Sequence, residues 1–230
     1  MRLWALACGV CLGACAAPAG PAAPAAAPAA GSTTAGAEAP APVLRTTIPV
    51  PVPQPAIERR SLSAPLQTLW ERVEIAVAVR PPEPPTEAST EAVETWARGP
   101  FTEWLLRRAQ ASQEAQEPSN DLESAPAVER GMAAGLLGYM QEDTCADVRG
   151  APIPEAIATD ADLLRVYDEA LRAALLPYAR VSVSAYRFCV AAFDEVQDPA
   201  WSEWRAYCDE RGREVAEVFG VPMDTPGSAP

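Results

Sequence analysis

Carboxylates, thiols, hydroxyls and arginines are the groups with which this chain could do chemistry. Its 230 residues include no histidine, and all 18 of its basic residues are arginine. Without imidazole, the chain lacks Ser-His and Cys-His nucleophile pairs and histidine metal ligands. Without lysine, it lacks Schiff-base chemistry and the Walker A phosphate loop. Catalysis by carboxylates, as in glycoside cleavage, is the main option that remains.

Six acidic residues are candidates for such catalysis by their type alone: Glu103, Glu142, Asp143, Glu203, Asp209 and Glu210. None of them belongs to a local sequence motif that distinguishes it from the others. Acidic residues on helices usually lie on solvated faces. We therefore predict no catalytic, cofactor-binding or metal-binding residue in this chain.

The first fifteen residues have the layout of a secretory signal, with a positive start at Arg2 and an uncharged apolar run behind it. The tetrapeptide Leu12-Gly13-Ala14-Cys15 resembles the lipobox of bacterial lipoproteins, whose pattern Leu-(Ala/Gly/Ser)-(Gly/Ala)-Cys it matches at all four positions. A plain cleavable signal is one alternative. An uncut anchor is another, although crossing a bilayer takes about 20 apolar residues and this run is shorter.

The resemblance implies that Cys15 carries a diacylglyceryl group on its sulfur, that residues 1–14 are cleaved off, and that the new amino group is acylated. Two or three acyl chains on one residue give stable anchoring, whereas a single chain binds reversibly. Ala16 follows the cysteine where lipoproteins retained at the inner membrane often carry Asp. The resemblance therefore implies the outer membrane, with the domain facing the periplasm, and the cell surface is the alternative.

Residues 15–61 are predicted to be the lipidated cysteine followed by a disordered tether. Ala, Pro and Gly dominate residues 16–42, and proline alternates with other residues in 48–55. Proline removes backbone donors and fixes φ, and the segment has too little large apolar surface to fold alone. We expect a spacer that holds the domain away from the membrane. A ligand for an aromatic groove is the alternative role of the proline-rich run.

Residues 62–220 are predicted to form one all-α domain, a small bundle of five or six helices, with a disordered tail at 221–230. Apolar residues recur there at helical spacing. The expected helices are 65–79, 93–109 with a kink or a break at Pro100, 125–145, 160–196 as two helices or one kinked helix, and a last helix ending near Gly220.

Helix signals refine three of these segments. Residues 73–79 alternate like a strand, but a lone strand leaves its backbone groups unpaired, so we predict helix. Thr159 and Asp162 resemble a capping box. Asp198-Pro199 is typical of an N-cap followed by a first helical residue.

Three cysteines remain in the mature chain if Cys8 and Cys11 leave with the signal and Cys15 is lipidated. A compartment outside the cytoplasm permits a disulfide. Cys189 and Cys208 lie nine and ten residues from a turn near Asp198, each on the apolar face of its helix. In an antiparallel hairpin such positions are adjacent, so we predict that these two are bonded.

Pairings of Cys145 with Cys189 or Cys208 are the alternatives. If Cys145 is instead the leftover thiol, we predict that it is inert. A reactive thiol needs electropositive surroundings, and its neighbours in sequence are Glu142, Asp143 and Asp147.

Aromatic and small residues are assigned to the core. The segments Phe101-Thr102-Glu103-Trp104 and Trp201-Ser202-Glu203-Trp204 resemble each other. Paired aromatic residues can stack on sugars or bases, but they more often anchor a helix in the core. Gly131, Gly135 and Gly138 form a small-residue stripe, for which we predict close helix packing because the apolar run is too short to cross a membrane.

The net charge is −13, and cleavage of residues 1–14 leaves 17 arginines against 31 acids, a charge of −14. Nucleic acids and anionic lipid surfaces are poor partners for such a chain. We expect a cell-envelope protein, held in the membrane through lipidated Cys15, whose domain is a non-catalytic interaction or structural module for another envelope protein. A carboxylate-based hydrolase of cell-wall glycan and a carrier of a small apolar ligand are the alternatives. The oligomeric state stays open.

Overall fold

The computed structural model describes residues 44–196 and 198–222. Within this part the chain is all-α, with six helices of seven residues or more, which confirms the predicted class and number. They are α1 (Ala64–Ala78), α2 (Thr90–Trp96), α3 (Thr102–Gln116), α4 (Ala127–Arg149), α6 (Ala161–Val196) and α7 (Ser202–Phe219), and α5 (Glu155–Ala158) is a single turn. The signal segment, Cys15, the linker up to residue 43 and the tail from residue 223 lie outside the described residues.

Helix α4 is the central element of the bundle. Every residue from Gly131 to Cys145 is buried, because α1, α3, α6 and α7 all pack against it. Aromatic rings rest directly on its glycines: a Cβ at Gly131 would lie 2.7 Å from the Phe193 ring, and one at Gly138 would lie 2.9 Å from the Tyr186 ring. The glycine stripe is thus a close-packing surface inside the domain, as predicted.

The tryptophans anchor the core, also as predicted. Trp70, Trp104 and Trp204 are each at most 2% exposed. Trp70 meets Trp204 edge to face with ring centroids 5.7 Å apart, and Phe101 stacks against Trp96 at 4.5 Å. Such aromatic contacts add to the free energy gained from burying apolar area.

Pro100 lies in a wide π-helical turn, Ala97–Phe101, that joins α2 directly to α3. Proline cannot donate a backbone hydrogen bond and its ring crowds the preceding turn. Thr102 compensates in part, since its hydroxyl donates to the carbonyl of Ala97 at 2.7 Å. Of the two predicted arrangements, the structure has a local bulge in a continuous helical segment.

The long helix α6 is uninterrupted over 36 residues and contains Pro177. Its start differs from the predicted capping box: the Asp160 carboxylate accepts from the backbone N–H groups of Asp162 and Leu163, while the Thr159 hydroxyl donates to the Glu155 carbonyl. Ahead of α7, the predicted cap is correct, because Asp198 accepts from the Ala200 N–H at 2.9 Å. Helix α7 ends at Phe219, and the next residue, Gly220, has a φ of 66°, a left-handed conformation that favours glycine.

Residues 44–57 are extended chain that lies against α4 and α7, so the folded part begins before the predicted residue 62. Tyr207 donates to the Val50 carbonyl at 2.8 Å, Trp204 to the Gln54 carbonyl at 3.3 Å, and Arg149 to the Arg45 carbonyl at 2.7 Å. Side-chain donors in the bundle need acceptors, and an extended proline-rich chain presents carbonyls that no helix or strand has used. The predicted linker was too long for this reason.

Candidate functional site

Glu142 and Asp143, adjacent on α4, are the two sequence candidates that the structure buries. Consecutive side chains leave a helix about 100° apart, so the two carboxylates point to different neighbours. Glu142 faces α6 and α7, and Asp143 faces α3 and the segment that follows α1. They are therefore the starting points of two separate polar clusters within one core.

The Glu142 cluster contains Tyr186, Tyr207 and Arg211. Glu142 is 0% exposed, and its carboxylate accepts from the Tyr186 hydroxyl at 2.7 Å and from the Arg211 guanidinium through both Nε and Nη2. Burial by itself would lower the pKa of Arg211, but the hydrogen bond and charge of Glu142 outweigh it and raise that pKa. Burial raises the pKa of Tyr186 well above its usual value. The cluster holds a paired carboxylate and guanidinium with neutral phenols.

The Asp143 cluster is built on Arg108. This arginine is 1% exposed and donates to Asp143 at 2.6 Å, to the Thr144 hydroxyl at 3.0 Å, to the Met140 carbonyl at 3.3 Å and to the Ala76 carbonyl. The second arginine at this carboxylate is Arg80, whose Nη1 donates to Asp143 at 3.0 Å. Asp143 is thus neutralised by two cations.

Asp147 lies one turn beyond Asp143 and is held less well. Its Oδ2 is buried without a hydrogen-bond partner, and its Oδ1 is 3.6 Å from Arg80. Burial, and then the negative charge of Asp143, raise the pKa of Asp147 to about 6. Arg80 and Arg108 oppose that shift, but they do not cancel it.

This arrangement makes Asp147→Asn a stabilising change at neutral pH. In the folded state Asp147 binds a proton below a pH of about 6, whereas in the unfolded chain it does so only near the ordinary pKa of an aspartate. The wild type therefore loses stability as the pH rises through 6. We expect the variant to exceed the wild type at pH 7 by about 1–2 kcal/mol after allowance for solvent screening, and the difference to shrink towards pH 4.

Urea unfolding of both proteins between pH 4 and 8 measures that difference. Asp121→Asn, at an exposed acid, is the matched control and should change stability by less than about 0.5 kcal/mol. A variant less stable than the wild type at pH 7 would show that the Arg80 contact outweighs the burial.

The other four candidate carboxylates lie on the surface. Glu103, Glu203 and Glu210 are exposed, and Asp209 pairs with Arg213 along α7. Glycoside hydrolysis requires two carboxyl groups that face each other across room for the sugar. The structure brings no two of these six residues together in that way within the part it describes.

Three arginines are buried in addition to the two acids, namely Arg108, Arg149 and Arg211. Arg108 and Arg149 do not stand out in the sequence as buried residues. Arg149 is 3% exposed and pairs with Asp168 at 2.7 Å. Arg108 follows Trp104 by four residues, which puts both on one helix face, and that spacing was the signal available for its burial.

Cys189 and Cys208 form a disulfide between α6 and α7, with Cα atoms 6.2 Å apart, as predicted. Cys145 is a buried free thiol in the described part of the chain. Its pKa is raised to about 12, mainly by burial and then by Glu142. A raised pKa agrees with the predicted inertness, although burial rather than acidic neighbours is the main cause.

The disulfide should contribute about 3 kcal/mol, because it closes a loop of about 20 residues in the unfolded chain. We expect the double variant Cys189→Ala/Cys208→Ala to lose about that much in urea unfolding without reductant. Reductant should lower the stability of the wild type and leave the double variant unchanged, which serves as the control. Mass mapping of the unreduced protein is the second measurement, and a peptide that joins Cys145 to either cysteine would contradict the pairing.

A second feature, on the outside of the molecule, is the α6 stripe, which we define by Leu163, Val166, Ala170, Ala174, Val181 and Phe188. All six are exposed, and Val166 and Phe188 are each 53% exposed. At 100° per residue they fall within one face of α6, about 80° wide, on the side opposite the core residues Ala179 and Tyr186. No charged residue falls on that face between residues 163 and 191, a segment described throughout.

Two depressions are also present at the surface. One of about 420 Å³ lies beside α2 and includes Glu87, Glu91 and Trp96, and one of about 260 Å³ lies between α6 and α7. Charged residues line both, which does not favour an apolar ligand. A bilayer-crossing helix is not found among residues 44–196 and 198–222, and in the same ranges no three Cys, Asp or Glu side chains are grouped to hold a metal ion.

No family model, no curated protein and no solved structure matches this chain. The residues themselves therefore carry the functional interpretation.

Proposed function

We propose that this chain is a lipid-anchored, non-catalytic interaction module of the bacterial cell envelope. The observation that carries the interaction role is the α6 stripe, an uncharged exposed helix face in a chain with net charge −13. Contiguous apolar surface on a soluble domain commonly marks a contact site. The anchoring role rests on the resemblance of Leu12-Gly13-Ala14-Cys15 to a lipobox.

The state of the buried carboxylates supports a non-catalytic role. A general acid must hold a proton at working pH, and a general base or nucleophile must reach its substrate. Glu142 and Asp143 are each paired with buried arginine and are at most 3% exposed. Their contacts are those of a structural core, and the glycan hydrolase is the weaker hypothesis.

The position of Leu44 sets the length of the proposed tether. Leu44 is 8% exposed and is the first residue described, so the tether would comprise the 29 residues 15–43 that precede it. A chain of that length spans at most about 100 Å when fully extended. This is shorter than the tether expected from the sequence, because residues 44–57 lie on the domain.

The anchor is tested with Cys15→Ser in a bacterial host that processes lipoproteins. We expect the wild type to incorporate labelled fatty acid, lose residues 1–14 and sediment with the membrane fraction. The Cys15→Ser protein should take up no label and leave that fraction. Cys11→Ser, inside the signal but outside the lipobox, is the matched control and should behave as the wild type. Normal processing and firm membrane association of Cys15→Ser would overturn the proposed anchor.

A further inference from the structure

We infer that the α6 stripe is the contact surface between two antiparallel copies of this chain. The inference rests on the proposed interaction role and names the partner, but it does not depend on the lipid. Residues on the same edge of two antiparallel helices face each other across the contact. The charges along one edge of the stripe on one copy therefore face the same charges, in reverse order, on the second copy.

Four charged residues lie along one edge of the stripe: Asp162, Glu169, Arg180 and Arg187. At 100° per residue all four fall within about 20° of one another, roughly 100° from the centre of the stripe. The two acids are seven residues apart, and so are the two arginines. A register that places Arg187 opposite Asp162 of the second copy therefore also places Arg180 opposite Glu169, and the twofold symmetry repeats both pairs.

These edge charges have no competing strong partners. Arg180, Arg187 and Asp162 make no ion pair within residues 44–196 and 198–222. Glu169 pairs with Arg165 one turn earlier at 2.9 Å, with both side chains more than 60% exposed. Exposed i,i+4 pairs of this kind contribute little, so Glu169 can exchange partners at low cost.

The same register matches the apolar side chains by size. Its centre falls beside Ala174, where alanines at 170, 173 and 174 allow the two helix backbones to approach closely. Away from the centre, Val166 of one copy lies near Val181 of the other, and Leu163 lies between Ser184 and Phe188. Large residues at one end thus meet the medium-sized or small residues of the opposite half.

The size of the stripe predicts a weak dimer. Its 26 residues extend for about 39 Å, and a strip about 10 Å wide buries roughly 400 Å² per copy. A total near 800 Å² lies below the range of stable interfaces, which begins at about 1,200 Å². We expect dissociation at micromolar concentrations, which two-dimensional concentration on a membrane would counteract.

A second copy fits the stripe better than the other occupants. A lipid leaflet has no fixed charges at the spacing of the edge residues, and anionic lipids would repel so acidic a chain. Residues 16–43 of the same chain supply mostly Ala and Pro and little large apolar surface. Neither alternative accounts for the matched seven-residue spacings.

Cysteines introduced one at a time into the full-length Cys8→Ser/Cys11→Ser/Cys15→Ser chain, whose three remaining cysteines are bonded or buried, test the register by oxidative crosslinking. Ala174→Cys should crosslink to itself, since it lies beside the twofold axis. Leu163→Cys alone should not, because its two copies would be about 35 Å apart. Mixed Leu163→Cys and Ser184→Cys chains should give a heterodimer. All three positions are exposed, so folding should be unaffected. Self-crosslinking of Leu163→Cys would indicate a parallel pair and overturn the inference.

Sedimentation equilibrium up to 200 µM measures the affinity of the dimer. The test variant is Val181→Glu, in the stripe, and the control is Leu106→Glu, at an exposed leucine on α3 outside the stripe. Val181→Glu should abolish the dimer and Leu106→Glu should leave it intact. Arg187→Glu should weaken it about tenfold, and Arg187→Glu/Asp162→Arg should restore it. A wild type that stays monomeric at 200 µM, or a dimer insensitive to Val181→Glu, would overturn the inference.

These readouts are separable from those of the anchor. They can be made on the Cys15→Ser chain, so a failure of lipidation leaves them unchanged. Binding of zwitterionic phosphatidylcholine vesicles that Val181→Glu abolishes, without any dimer, would assign the stripe to a leaflet and overturn the second copy as occupant.

Discussion

Replacing Arg108 by alanine should lower the free energy of unfolding by about 3–5 kcal/mol, the usual cost of breaking a buried ion pair from one side. The variant removes the 2.6 Å contact to Asp143 and the hydrogen bonds to Thr144, Met140 and Ala76 together. Asp143 keeps only Arg80, whose side chain is 56% exposed. The Ala76 carbonyl, near the end of α1, loses a donor that solvent cannot easily replace.

Urea unfolding at pH 7 measures this effect, and an unchanged m-value would show that the loss is one of stability alone. Arg107→Ala is the matched control, because the adjacent arginine is exposed, and it should change stability by less than about 0.5 kcal/mol. A second variant, Arg108→Met, retains most of the side-chain volume and separates the electrostatic loss from a cavity. A loss below 1 kcal/mol for both variants would contradict the structural importance of this pair.

Local periodicity was sufficient to predict most of the helices. Leu66, Leu69, Trp70 and Val73 recur on one side of α1 and are all at most 2% exposed. The pairing of Cys189 with Cys208 was predictable for a related reason, since their distances from the turn near Asp198 favoured it over the pairings with Cys145. Such inferences need only the geometry of a helix and the position of a turn.

Local periodicity does not predict the burial of helix α4. A helix with neighbours on all sides has no solvent face, so its apolar residues need not follow a single stripe. Glu142 and Asp143 look like ordinary surface acids when the sequence is read alone. Their burial depends on Arg211 and Arg108, which lie 69 and 35 residues away along the chain. Pairs so distant in sequence have no local signal.

The prediction that residues 44–57 belong to a detached linker was wrong for a different reason. Its composition predicts that it cannot form helix or strand, and it forms neither. The inference that it is also detached from the domain does not follow. Docking depends on donors elsewhere, namely Arg149, Trp204 and Tyr207, that need carbonyl partners.

The pair Glu142–Arg211 should show strong energetic coupling. Arg211→Met leaves a carboxylate that is 0% exposed with the Tyr186 hydroxyl as its remaining donor, and should cost about 3–5 kcal/mol. Glu142→Gln keeps the shape and an acceptor for Tyr186, and Arg211 retains Glu214, so we expect a smaller loss of about 1–3 kcal/mol.

The double variant Glu142→Gln/Arg211→Met should be less damaged than the sum of the single variants by about 2 kcal/mol or more, because it leaves no unpaired buried charge. Arg213→Met, on the exposed face of the same helix, controls for helix propensity. Urea unfolding of the four proteins completes the cycle. Additive losses would mean that the two side chains stabilise the fold independently of each other.

The cycle also bears on the choice between structural and catalytic roles for Glu142. A carboxylate whose charge is required by Arg211 stabilises the fold, so its neutralisation in Glu142→Gln should lower the free energy of unfolding. A catalytic carboxylate in a strained or open site commonly costs stability, and its neutralisation then stabilises the protein. A Glu142→Gln protein more stable than the wild type would contradict the structural role assigned to this carboxylate.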